Sequence, residues 1–156
     1  MTLTTIKERP DLPKITGTWR WEAFFRHNGR TLADVIELDV QCACGEDLMP
    51  TVLVLLEEAV PVGMVALCLD DLEGRPEFNP WLAGLYIDPQ YRGKGYAVRL
   101  IRELEAFARK SEIGSLYLYT ASANGLYAQE VWESIETFDL NGQAFSIMQK
   151  DLQEGP

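Results

Sequence analysis

The stretch Ile87–Lys110, IDPQYRGKGYAVRLIRELEAFARK, changes its period halfway along. It opens as the end of an apolar strand, passes through Arg92, Gly93, Lys94 and Gly95, and continues with Ala97, Leu100, Ile101, Leu104 and Ala108 at helical spacing. Glycine tolerates positive φ and lets another group approach the backbone closely. A helix starting there turns unpaired N–H groups and its positive dipole end back onto the turn. An anion such as a phosphate suits that arrangement, and Arg92 and Lys94 add two full charges to it.

Those cations stand out because the chain is acidic: 14 Lys and Arg against 24 Asp and Glu give a formal charge of −10 over 156 residues. That balance argues against nucleic acid as the main partner and suits a cationic, amine-bearing one. The length fits one globular domain over 1–152 with a short tail at 153–156. The N-terminal MTLTTIKERPDLPK lacks the pattern of a signal peptide, and no apolar run nears the roughly 20 residues of a membrane span. A cytoplasmic protein with reduced Cys42, Cys44 and Cys68 is expected. With His27 as the only histidine, no closed zinc site is expected, and Cys68 reads as a core residue.

Upstream of the turn, MTLTTIKER reads as a strand ended by Pro10 and Pro13, and Thr16–Phe25 as a helix with Thr18 as a candidate cap. Thr31 is a candidate cap for a second helix whose Leu32, Val35, Ile36 and Val40 share a face. Strands follow from Thr51 and from Pro61, with a turn at Ala59–Pro61 and a bulge or close approach at Gly63. A loop, LEGRPEFNP, leads to a third strand at Trp81–Ile87. Downstream come a strand from Ser115, a short helix in NGLYAQEVW, and two strands joined at Asn141-Gly142, a hairpin signal. The order predicts an α/β or α+β fold on one mixed sheet.

Two phosphate motifs fail at the turn. A Walker loop needs Ser or Thr after Lys94 and has Gly95, and a dinucleotide fingerprint needs Gly where Val98 stands. A third pattern fits: LYIDPQYRGKGYA resembles the acetyl-coenzyme A signature of the GCN5-related N-acetyltransferases (GNAT), R/Q-x-x-G-x-G/A, through Arg92, Gly95 and Ala97. NGLYAQEVW likewise resembles the family's later Tyr-x-x-x-Gly-Phe/Trp segment. Two departures stand out: Val131 where Gly precedes the aromatic Trp132, so that the turn there should be built differently, and Tyr96 in place of a small aliphatic residue.

The resemblance implies a mixed, mostly antiparallel sheet with splayed central strands, flanked by helices. It implies acetyl-coenzyme A as cosubstrate and no metal. Leu85 N–H would face the thioester carbonyl, and Tyr86 and Ile87 would lie along the pantetheine. Arg92, Gly93, Lys94, Gly95, Tyr96 and Ala97 would hold the pyrophosphate, Asn124 would contact the cofactor, and Tyr127 would sit near the sulfur. A tyrosine stays protonated at neutral pH and can protonate a leaving thiolate.

A carboxylate must take the proton of the acceptor, and Asp70 and Asp71 lead Glu58 and Glu77 as candidates, against an ordinary solvated-loop role. Trp19, Phe78 and Trp81 are candidate walls of the acceptor pocket, against core packing, and His27 reads as a surface residue. The implied function is transfer of an acetyl group to a primary amine, small-molecule or peptide. The alternatives are a non-catalytic acyl-coenzyme A sensor and a toxin acting on aminoacyl-tRNA, the latter disfavoured by the missing basic patch. A homodimer is compatible with the resemblance.

Overall fold

A computed structural model describes residues 1–152. The short tail expected at 153–156 lies outside the described residues. Seven strands form one sheet in the order β1-β2-β3-β4-β5-β7-β6. They are β1 (Thr2–Thr5), β2 (Thr51–Glu57), β3 (Val60–Cys68), β4 (Trp81–Ile87), β5 (Ser115–Thr120), β6 (Glu133–Leu140) and β7 (Gln143–Asp151). Every pairing is antiparallel except that between β4 and β5.

The alternation of β2 and β3 splits the core between the two faces of the sheet. Leu53, Leu55, Val65 and Leu67 meet Leu100, Ile101, Leu104 and Ala108 of α3 (Tyr96–Lys110). Val52, Val54, Met64 and Ala66 face the other way, toward Leu12 and Trp19. That second face is covered by α1 (Pro13–Arg20) and α2 (Leu32–Cys44). Among the described residues, no helix is long and apolar enough to cross a membrane.

Several expectations are corrected. The first strand stops at Thr5, followed by turns. Helix α1 starts at Pro13, whose missing N–H costs nothing at a first helical position. Thr18 is inside that helix, its hydroxyl donating to Lys14 O at 2.6 Å, and Trp21–Phe25 continues as a π-helical turn.

Thr31 does cap α2, accepting from Asp34 N–H at 3.1 Å. The buried face of α2, however, is Val35 and Asp39, while Leu32 and Val40 are exposed. Asp39 turns inward because Thr16 Oγ1 donates to it at 2.6 Å and Arg20 Nε at 3.2 Å, which offsets the cost of burying its charge. The β2–β3 turn falls at Glu58 and Ala59, both at positive φ. At Gly63 the close approach is real: a Cβ there would stand 2.7 Å from Ile87 Cδ1.

The turn after α4 (Asn124–Gln129) is not built differently from a glycine turn. Val131 itself adopts φ +70°, with Val131 N–H bonded to Ala128 O and Trp132 N–H to Tyr127 O, a Schellman closure. Lys150 holds the turn by donating to Glu130 O at 2.7 Å and to the buried Glu105 at 2.8 Å, and Glu105 also accepts from Trp132 Nε1 at 3.1 Å. A β-branched residue is strained in this conformation, and Val131 is 73% exposed, so its side chain recovers little by packing. Val131→Gly is therefore expected to stabilise the fold by about 1 kcal/mol, seen as a higher urea midpoint at unchanged slope.

Candidate active site

Strands β4 and β5 touch at one register pair, Trp81 with Tyr117, supported by Tyr117 N–H donating to Pro80 O at 3.0 Å. Beyond that point they part. β5 turns its other edge to β7 along its whole length, so the facing edge of β4 is left without a strand partner. A bulge sharpens the effect: Met64 pairs with Tyr86 and Ala66 with Ala83, so Gly84 and Leu85 together oppose Val65. Gly84 adopts φ +61°, which a glycine accepts without strain. Leu85 is thereby released from the β3 ladder at the mouth of the gap.

The gap opens into a cleft of about 450 Å³. Leu85, Tyr86 and Ile87 form one wall, the turn from Tyr91 to Val98 the end, and Leu126 of α4 contributes from the other side. At the end wall Gly93 and Gly95 have φ +80° and +81°, and a Cβ on either would meet nothing within 4 Å. The first bond inside α3 runs from Arg99 N–H to Gly95 O at 3.1 Å. The N–H groups of Tyr96, Ala97 and Val98 precede it and have no helical acceptor. Bare backbone, a helix N-terminus and open space therefore coincide, which is the environment an anionic phosphate ester requires.

The turn's cations rest on aromatic rings of the same wall. Arg92 Cζ lies 5.4 Å from the Tyr86 ring centroid, with Nε donating to Ile87 O at 2.9 Å. Lys94 Nζ lies 5.4 Å from the Tyr91 centroid. Tyr96, the residue departing from the family pattern, lines the cleft and donates its hydroxyl to Glu57 at 2.9 Å.

Tyr127 is buried on α4, next in the chain to the cleft-lining Leu126 and not itself in the lining, edge-on to Trp132 with centroids 6.0 Å apart. Burial pushes its phenol up to about 12, so it stays protonated across the physiological range. Asn124 is tied to Ser146 Oγ at 2.7 Å.

The structure separates the candidate carboxylates. Asp70 is locked to Asn79, whose side chain accepts from Asp70 N–H at 2.7 Å and donates to its carboxylate at 2.9 Å. Asp71 belongs instead to a cluster with Cys68, Arg20 and Tyr119. Although the residue keeps an exposed surface, crowding of its carboxyl by protein raises its pKa, against the lowering pull of Arg20 and of the Cys68 thiol. Burial pushes the Cys68 thiol up to about 12, with Asp71 adding to the effect. Glu77 is exposed, and Glu58 is in the β2–β3 turn.

The three aromatic candidates are buried to different degrees. Trp19 is 7% exposed, with its ring 5.7 Å from that of Tyr86, because α1 presses it onto the sheet. Trp81 is fully buried and touches the rings of Tyr117 and Tyr119. Phe78 stacks on Tyr117 at 5.0 Å, and Arg75 of the same loop ion-pairs with Glu136 of β6, pinning the loop to the sheet. Sequence reasoning missed Arg20, Tyr117 and Tyr119, since a helix-terminal arginine and alternating strand tyrosines look like ordinary surface residues. His27 is exposed, and among the described residues no group of three or more His, Cys, Asp or Glu side chains is placed to hold a metal.

A model of the acetyltransferase (GNAT) family matches residues 15–135. No curated protein sequence matches the chain. Among solved structures, an aminoglycoside 6'-N-acetyltransferase complexed with coenzyme A superposes with TM-score 0.76 at 12% identity, over 100% of this chain and 99% of that one. Ribosomal-protein-alanine N-acetyltransferase from Brucella melitensis gives 0.73 at 21% identity, over 97% and 99% of the two chains. The protein yncA from Salmonella typhimurium, solved with its cofactor acetyl-CoA, gives 0.71 at 17% identity, over 100% and 97%. At these identities the structures establish the fold, a seven-stranded, mostly antiparallel sheet flanked by helices. The family match covers more than half of the chain, and the protein belongs to the GNAT family of acetyltransferases.

Proposed function

We propose that the protein is an acetyl-coenzyme A dependent N-acetyltransferase that delivers the acetyl group to a primary amine by direct attack, with both substrates bound together. The observation that carries this reading is the single continuous path from the free edge of β4 to the unpaired N–H groups at the start of α3. An extended pantetheine arm needs the first, and a pyrophosphate needs the second. The Tyr96, Ala97 and Val98 amides hold the phosphates, with Arg92 and Lys94 supplying charge, and Leu85, Tyr86 and Ile87 line the arm.

Attack by an amine on a thioester needs no enzyme nucleophile. It needs a donor for the oxygen that gains charge, a proton for the departing sulfur and an acceptor for the amine's proton. Leu85 N–H, freed by the bulge, is the donor. Tyr127 gives its proton to the sulfur, a role its high pKa allows. Asp71 takes the proton from the acceptor's ammonium, directly or through one water. Asp70, held by Asn79, shapes the loop.

This assignment has opposite consequences for stability and activity. A carboxyl whose folded pKa is raised costs nothing below its ordinary value of 3.8. The cost grows as pH rises through the folded value and is complete above it. Asp71→Asn is thus expected to raise Tm at pH 7, with no difference at low pH where both side chains are neutral. The same change is expected to lower kcat/KM for the amine about 100-fold, measured as thiol release from acetyl-coenzyme A. A variant with undiminished turnover removes Asp71 from the mechanism.

A further inference from the structure

Arg20 closes α1 and faces the bulge of β4. Its Nε donates to Asp39 Oδ1 at 3.2 Å, and Asp39 is itself fixed by Thr16, with the Arg20 and Asp39 side chains 15% and 6% exposed. That ion pair uses one of the five guanidinium N–H groups. Those on Nη1 and Nη2 have no hydrogen-bond partner among the described residues. Nη1 sits 2.6 Å from where a Cβ of Gly84 would be, so the free edge of the guanidinium lies on the bulge next to Leu85. Asp71 and Cys68 are close enough to feel the Arg20 charge, and Tyr119 feels that of Asp71.

An arginine held only for its ion pair would spend its fork on the carboxylate. Here a largely buried cation, fixed in orientation by a single Nε bond to Asp39, lays a planar pair of NH₂ groups, without hydrogen-bond partners among the described residues, against the β4 bulge, one residue from the cleft-lining Leu85. A planar fork of this kind matches a carboxylate through two parallel hydrogen bonds, which a lysine could not reproduce. Asp71 supplies the opposite charge nearby.

We propose that Arg20 binds a carboxylate carried by the acceptor, so that the acceptor is an amino acid or a closely similar amino-carboxylate, with its ammonium group turned to Asp71. The inference rests on the acetyltransferase reading above and names the substrate class of that site.

The test compares the free amino acids with their α-carboxamides as acceptors, following thiol release, while thermal shift reports acetyl-coenzyme A binding separately. The amide's amine is less basic and more often unprotonated, so basicity alone favours the amide. In the native protein at least one free acid is expected to exceed its amide at least tenfold in kcat/KM. Arg20→Gln is expected to bring that ratio close to one, and Arg20→Lys to reduce it partly, with the acetyl-coenzyme A shift unchanged. A merely structural Arg20 would lower both members of each pair together and leave the ratio intact.

The proposal is overturned if amides match or exceed the acids in the native protein, or if the ratio survives Arg20→Gln. It is also overturned if no acid or amide is acetylated while acetyl-coenzyme A still stabilises the protein, an outcome that leaves the cofactor assignment standing. Loss of the acetyl-coenzyme A shift in the native protein removes both readings. The native ratio decides the matter even if Arg20→Gln folds poorly.

Discussion

Tyr127→Phe is expected to lower kcat by a factor of about 10² to 10³, or roughly 3 to 4 kcal/mol of transition-state stabilisation, while leaving the KM for acetyl-coenzyme A nearly unchanged. The ring packs edge-on against Trp132 and is 6% exposed, so phenylalanine keeps the packing and removes only the hydroxyl. With the phenol pushed up to about 12, the proton is present whenever the thiolate departs. The activity of the native protein should accordingly not decline as pH rises from 8 to about 10 through any ionisation of Tyr127. Steady-state kinetics with a thiol-reactive dye, alongside a melting curve, separates this from a folding defect: kcat should fall while Tm stays within about a degree or two. A variant with native kcat makes Tyr127 a packing residue.

The packing of the Tyr127 ring on Trp132 depends on a network that hydropathy could not reveal. Glu105 sits between Leu104 and Ala108 on the buried side of α3, and its carboxylate joins Lys150 on β7 to the indole of Trp132. Lys150 also clamps Glu130 O, the carbonyl just before the strained Val131. The sequence pattern marks Glu105 as a polar residue in an apolar stripe and Val131 as a departure from glycine. Only the three-dimensional arrangement shows that Lys150 and Glu105 hold the turn that a glycine would otherwise have eased.

Where local signals were strong they carried through to the fold. The strands Trp81–Ile87 and Ser115–Thr120 fall where their apolar and aromatic runs put them, and the hairpin at Asn141-Gly142 has both residues at positive φ. The helix after the glycine turn was legible because its apolar stripe has one period throughout. Helix α1 was less so, since Pro13 as a start outweighs Thr18 as a cap, and no propensity marks the π-helical turn that follows.

The candidate site divides in the same way. The turn, the β4 edge and Tyr127 could be read from short motifs, because each is contiguous in sequence. The proposed acceptor side could not, because Arg20, the Cys68–Asp71 segment and Tyr119 come from three separate parts of the chain and are brought together only by the fold. The choice between adjacent Asp70 and Asp71 turns on Asn79, a side chain nine residues further on.

All of these roles presuppose that the cleft between β4 and β5 takes acetyl-coenzyme A, and Gly95→Trp tests that most directly. A side chain at Gly95 would enter space where no protein atom lies within 4 Å, so the fold can accommodate it, at a cost of about 1 to 2 kcal/mol for a non-glycine residue at φ +81°. The indole would then occupy the position of the pyrophosphate. The measurement is the difference in melting temperature with and without acetyl-coenzyme A, taken on both proteins so that the intrinsic cost of the substitution cancels. Ligand at 100 times its dissociation constant contributes about 2.7 kcal/mol, several degrees for a chain of this size. Acetyl-coenzyme A is expected to stabilise the native protein and to leave Gly95→Trp unmoved. An equal shift in both proteins, or none in the native one, removes acetyl-coenzyme A from this cleft.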